Sequence, residues 1–153
     1  MALLNPLVPH YREEFFKQLA THIDLDIYVY EDENANVNFN ISALRVKKIK
    51  IFGFLGNRII TYNPFSLLTS KYDTLVLMLH FGHLSSWILL LTRIFHRKKI
   101  ILWGQGISVK RYLHEQKRPN FLFRLMIGLS NGVWLYTEAE QKFIHAVARV
   151  EPE

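Results

Sequence analysis

Hydrophobic and polar positions along this chain recur with a period of two in some stretches and near 3.6 in others, and the switches mark its predicted elements. Residues 2–4 end a short first strand, and the loop Asn5-Pro6-Leu7-Val8-Pro9 follows. A helix starts near His10 or Tyr11: Phe15, Phe16, Leu19 and Ala20 share one helical face, with Arg12, Glu13, Glu14, Lys17 and Gln18 largely elsewhere. Residues 24–30 alternate as a second strand, and the acidic stretch 31–36 reads as a loop. Alternation over 46–52 and 58–62 predicts two short strands joined by a turn at Gly53 and Gly56, a hairpin on the sheet edge. Residues 65–70 make one or two helical turns.

The second half repeats a simpler unit. Strand 74–79, helix 84–95 and strand Lys99–Trp103 are followed by a helix over 119–129, with Pro119 in its first turn and Ser130-Asn131-Gly132 beyond its end. Residues 133–136 form the last strand, and Thr137 with Glu140 makes a capping box for a helix running to Val147. Strands and helices joined by short connections specify an α/β domain, a mostly parallel sheet with helices on both faces. Ligands of such sheets bind beyond the carboxyl ends of the strands. The apolar run 100–103, set between Lys98-Lys99 and Gly104-Gln105-Gly106, reads as a buried strand delivering a glycine loop to that edge.

The largely apolar run 74–92 has about the length of a membrane span, but His80, Gly82, His83, Ser85 and Ser86 fall in its middle. Strand, polar loop and helix explain the same residues without burying imidazoles in lipid.

The chain of 153 residues suits one domain. It contains no cysteine, which excludes disulfides and thiolate chemistry. The amino terminus lacks the features of a signal peptide, so a cytoplasmic location is expected. The net charge of +6 is uneven: residues 1–60 hold 7 Lys/Arg and 7 Asp/Glu, residues 61–153 hold 12 and 6. Arg93, Arg97, Lys98 and Lys99 form one cluster, and Lys110, Arg111, Lys117, Arg118 and Arg124 a looser one. They read either as solvated surface or as a surface for anions such as phospholipid headgroups, sugar-lipid phosphates or nucleic acid.

Candidate chemistry gathers at the strand ends. His10 falls at a strand-to-helix junction beside Tyr11 and Arg12, an aromatic and a cation suited to a sugar or phosphate; Arg12 could equally pair with Glu13 or Glu14. His80 and His83 lack a neighbouring carboxylate or thiol, so a pocket-lining role for one of them is favoured over a metal site. Gly104-Gln105-Gly106 is neither a dinucleotide fingerprint nor a P-loop; Gln105 is a polar contact candidate, or the loop is a turn chosen for its geometry. No nucleophile elbow surrounds Ser85 or Ser86. Glu138 suits a helix amino terminus.

The ordered set Asn5-Pro6-Leu7-Val8-Pro9-His10-Tyr11-Arg12 with Phe15, Phe16 and Leu19, the strand at 26–30, Lys99-Ile100-Ile101-Leu102-Trp103-Gly104-Gln105-Gly106, and Trp134-Leu135-Tyr136-Thr137-Glu138 resembles one family. It is similar to the amino-terminal domain of GT-B glycosyltransferases of the large retaining family 4 type, over about residues 2–147. The resemblance implies a Rossmann-like half that binds the acceptor and faces a second half that binds the nucleotide-sugar. Many members act at membranes on lipid-linked or cell-envelope polysaccharide acceptors. Many carry a histidine in the loop after the strand matching Lys99–Trp103, where Gln105 stands here. The donor-binding residues belong to the second half, so none has a counterpart in this chain.

The resulting expectation is a domain at 1–147 with a tail at 148–153 and no donor-binding domain: the acceptor half of a glycosyltransferase, a fragment inactive alone because one wall supplies too few transition-state contacts. His10, Tyr11, Arg12, His83 and Gln105 are its substrate-binding candidates. No metal or other cofactor is expected. The partners are a glycan or lipid-linked acceptor, a nucleotide-sugar reached through a second domain or subunit, and a membrane inner face touched through Arg93, Arg97, Lys98 and Lys99. Two other readings stand beside it: a subunit of a split glycosyltransferase, and a non-catalytic basic module for anions or membranes. Nucleic-acid motifs are missing, so no nucleic-acid partner is expected.

Overall fold

The computed structural model describes residues 1–6, 8, 10–31, 44–56, 58–69, 71–104 and 121–148. Gln105 and the cluster at 110–118 therefore lie outside the described residues. In chain order the elements are β1 (Ala2–Asn5), a 3-10 turn (His10–Arg12), α1 (Glu13–His22), β2 (Asp26–Glu31), β3 (Arg45–Phe54) and β4 (Ile59–Tyr62). A second 3-10 turn (Pro64–Leu67), β5 (Thr74–Met78), α2 (Leu84–Leu91), α3 (Arg93–His96) and β6 (Lys99–Trp103) follow. The chain continues with α4 (Phe121–Gly128), β7 (Gly132–Trp134) and α5 (Glu138–Ala148).

Among the described residues, the strands form one sheet in the order β4-β3-β2-β1-β5-β6-β7. Every neighbouring pair is parallel except β3 with β4. The chain builds outward from β1 to β4, then crosses back to start β5 on the other side of β1. That reversal is a Rossmann-like topological switch point, and the carboxyl ends of β1 and β5 flank it.

Alternation along the strands separates two cores. Leu4, Tyr28, Leu75, Leu77, Ile100 and Leu102 pack with Leu89 and Leu90 of α2, Met126 and Ile127 of α4 and Ile144 of α5. Leu3, Ile27, Val29, Val76 and Trp103 face the other way, against Phe16 of α1 and Val8. Helices thus cover both faces, as the sequence leads one to expect. The apolar run 74–92 divides into β5, a loop and α2, and among the described residues no helix is long and apolar enough to cross a membrane.

Several boundaries differ from the sequence reading, most of them by one to three residues at an element's end. The 84–95 helix breaks at Thr92, whose Oγ1 donates to the Ile88 carbonyl at 2.6 Å, and α3 then ends on Arg97 in the left-handed region (φ 55°). In the edge hairpin Gly53 stays in the ladder opposite Ile60, and the chain reverses at Leu55 (φ 52°) and Gly56 (φ 65°). β7 stops at Trp134, the register partner of Trp103 at the end of β6, so Leu135 and Tyr136 run on past the ladder. The capping box forms: Glu140 N–H donates to Thr137 Oγ1 at 3.2 Å, and Glu140 Oε2 accepts from the N–H groups of Tyr136 and Thr137.

At the amino edge of the sheet, buried Asp26 accepts from Lys47 Nζ (2.7 Å), Lys71 Nζ (3.1 Å) and Tyr72 Oη (2.5 Å), with Arg45 Nε 2.9 Å from its other oxygen. Burial pushes its carboxyl up, but the hydrogen bonds from Lys47, Tyr72 and Lys71 outweigh that and hold it below the usual carboxylate range. This cluster lies at the end of the sheet opposite the switch point and ties β2, β3 and the segment before β5 together.

Candidate functional site

The carboxyl edge carries two polar constellations, one on each face of the sheet. On the α1 face, β6 and β7 end in register on Trp103 and Trp134, whose rings stack at 5.5 Å between centroids and 28° between planes. Phe16 of α1 meets Trp103 edge-on at 5.6 Å, and Phe15 meets Trp134 at 5.7 Å. The 3-10 turn before α1 projects Tyr11 and Arg12 over the same rings. The Arg12 guanidinium carbon lies 4.8 Å from the Tyr136 ring centroid, 5.5 Å from that of Trp103 and 5.5 Å from that of Tyr11. Tyr11, Arg12, Phe15, Trp103, Trp134, Leu135 and Tyr136 line a cleft of about 440 Å³.

The cleft's electrostatics follow from who pairs with whom. Glu13 is taken by Lys17 at 2.7 Å, and no carboxylate pairs with Arg12 among the described residues. Its positive charge is held by aromatic faces, an arrangement whose attraction grows where water is thin. Burial pushes the Tyr136 phenol up, and the charge of Arg12 and its hydrogen bond work against that shift. The site therefore offers a planar guanidinium, one donor of which is engaged by Tyr136, framed by the aromatic faces of Tyr11, Trp103 and Tyr136. Glu13 and Glu14 in the first turn of α1 place negative charge at that helix start, so the cation this cleft presents is Arg12 and not the helix end.

Asn5 adds a second feature on this face, at the carboxyl end of β1 beside the switch point. It is 4% exposed, and its Nδ2 has no acceptor among the described residues. A buried donor left without an acceptor is uncommon and unfavourable, which makes it a place where a ligand oxygen would be welcome.

On the opposite face the loop between β5 and α2 carries His80 and His83. His83 is 3% exposed, and the Tyr30 hydroxyl lies 3.1 Å from its Nδ1. Burial lowers its imidazole to about 4, with a further contribution from His80, whose ring centroid is 5.0 Å away. His83 is consequently neutral at pH 7. Gly82 lets this loop lie on β4: its carbonyl accepts from Ile60 N–H at 2.9 Å, and a Cβ there would stand 2.1 Å from the Arg58 carbonyl oxygen. No group of three or more His, Cys, Asp or Glu side chains that could hold a metal ion occurs among the described residues.

The structure thus brings Tyr11 and Arg12 together in one cleft and places His83 on the other face of the sheet. His10 opens the 3-10 turn, and its side chain, like all of Gln105, lies outside the described residues. Phe15, Trp103, Trp134 and Tyr136 line the cleft although their pattern reads only as helix face and strand. The signal that could have found them is the coincidence of aromatic residues at two strand ends, more than a buried strand end needs for packing. No family model, curated protein or solved structure matches this chain.

Proposed function

We propose that this chain is the acceptor-binding half of a glycosyltransferase and that its acceptor glycan enters the cleft of Tyr11, Arg12, Phe15, Trp103, Trp134 and Tyr136. The observation that carries the reading is this cleft, aromatic on its walls, cationic at Arg12 and about 440 Å³ in volume. Sugar rings present apolar C–H faces that pack on aromatic rings, while their hydroxyl, carboxylate or phosphate oxygens accept from a guanidinium. The volume is within the range of small-ligand sites. Its position at the carboxyl edge of a Rossmann-like sheet agrees with where such sheets bind ligands. Among the described lining residues there is no carboxylate or imidazole to serve as a general base, and what they offer is binding. The nucleotide-sugar and the remaining transition-state contacts would come from a second domain or subunit.

Two of the three tryptophans line the cleft and report on it directly. Titration with neutral hexose oligosaccharides, uronic acid oligomers and glycosyl phosphates should change the tryptophan emission saturably. Trp134→Ala should abolish both the change and the binding measured by calorimetry. A folded protein whose emission and heat of mixing do not respond to any of these glycans would overturn the reading.

A further inference from the structure

The helical layer formed by α2, α3 and α4 presents an apolar outer side. Leu84, Ile88 and Leu91 recur along α2 at the spacing of one helical face, and all three are exposed. Ile94 and Phe95 on α3 extend the stripe and are 74% and 80% exposed. The inner side of α2, Ser85, Ser86, Leu89 and Leu90, is buried on the sheet. α4 repeats the arrangement in the same layer, with Met126 and Ile127 buried and Phe121 and Leu125 exposed. Exposed apolar side chains recurring along successive turns of α2 and α3 mark an interaction site.

Charge identifies the kind of partner. Residues 84–104 and 121–137 hold five Lys or Arg, namely Arg93, Arg97, Lys98, Lys99 and Arg124, and no Asp or Glu. Arg97, Lys99 and Arg124 are exposed. Lys98 donates to the carbonyl oxygens of Thr69 and Tyr72, and Arg93 to Asn131 Oδ1 at 3.3 Å. None of the five is paired with a carboxylate among the described residues.

We infer that the outer side of α2, α3 and α4 docks on an anionic lipid bilayer, with Ile88, Leu91, Ile94 and Phe95 entering the headgroup–acyl boundary while Arg97, Lys99 and Arg124 meet lipid phosphates. The combination of projecting apolar side chains with flanking cations is that of a helix lying in a membrane interface. Nucleic acid would satisfy the charge but offers no apolar phase to Ile94 and Phe95. Ile94 and Phe95 are the most exposed of these side chains, which suits insertion into a deformable lipid surface. This docking face lies on the side of the sheet away from the Arg12 cleft, and the inference does not rest on glycan binding there.

The test is flotation of the full chain with phosphatidylglycerol-rich vesicles and with phosphatidylcholine vesicles. Binding should be strong to the first, weak to the second, and reduced by salt. The double variant Ile94→Glu/Phe95→Glu should lose binding by about tenfold or more, and Arg97→Glu/Lys99→Glu should lose the preference for anionic lipid by a similar factor. Thermal melts show that each variant is folded; the milder Phe95→Ser serves if the double variant is not. A folded protein that does not float with anionic vesicles, or that floats equally well with both apolar residues replaced, overturns the inference. So does a dimer that Phe95→Ser dissolves without any vesicle binding, which would assign the face to a second copy. Salt-sensitive binding to duplex DNA in place of vesicles overturns it as well.

Discussion

Trp103 and Trp134 are register partners at the ends of two parallel strands, and their rings stack at 5.5 Å. Trp103 is 3% exposed and belongs to the core beneath α1, whereas Trp134 is only half-buried and faces the cleft. The pair passes the rigidity of the sheet directly to the wall of the cleft. A site built on strand ends holds its geometry better than one built on loops alone.

Arg12 should discriminate among ligands by its plane and not by its charge alone. Arg12→Ala should weaken binding of anionic glycans by roughly tenfold to a hundredfold, the value of a charge-assisted hydrogen bond. Arg12→Lys should recover little of this, because an ammonium neither stacks on Tyr136 nor donates as a fork. Calorimetry on both variants checks the prediction, and recovery of full affinity by Lys would remove the stacking argument.

Asn5→Leu separates ligand binding from stability. The native side chain buries an Nδ2 without an acceptor among the described residues, so an apolar replacement should leave stability unchanged or raise it by about 1–2 kcal/mol. If a ligand oxygen uses that donor, glycan affinity should fall at the same time. Urea unfolding and calorimetry on one preparation read both effects, and marked destabilisation would mean the amide has a structural partner.

Acid should destabilise the fold in two stages. The His83 imidazole, lowered from 6.5 to about 4 by burial, takes up protons more readily when unfolded. Its neutral form therefore contributes stability that is complete above pH 6.5 and is lost as pH falls toward 4, up to about 3 kcal/mol. Asp26, held below its ordinary value, contributes stability present above about pH 4 and lost below it. Unfolding free energy measured from pH 8 to pH 3 should fall accordingly, and His83→Gln should flatten the first stage. A curve that is level between pH 6.5 and 4.5 in the native chain would exclude the burial of a neutral His83.

Two glycines should respond oppositely to alanine. Gly82→Ala would drive a Cβ into the Arg58 carbonyl oxygen, and relief requires backbone movement costing roughly 1–3 kcal/mol. Gly128→Ala meets nothing within 4 Å at the end of α4 and should stabilise by roughly 0.5–1 kcal/mol through helix propensity. Thermal melts of the two variants should shift in opposite directions.

The order of strands and helices, the two-sided covering of the sheet and the capping box at Thr137 and Glu140 were all legible in the amino-acid sequence. Each is set by local periodicity or by groups three residues apart. The break at Thr92 was not, because a helical apolar pattern continues across it while one hydroxyl bonds backward to Ile88. Nor was the reversal at Leu55, since alternation does not say which residue must take a left-handed backbone.

By itself the sequence determined the fold class and the absence of thiol chemistry, and it pointed to the carboxyl edge of the sheet as the place to look for a site. It brought Tyr11 and Arg12 forward as neighbours in the chain. Only the tertiary structure joined them to Trp103, Trp134 and Tyr136 and placed His83 on the far face. It also revealed that Asp26 gathers three cations and that one side of α2 and α3 is uncovered. The reason is physical: periodicity encodes which side of an element is apolar, whereas strand order and register decide which sides meet.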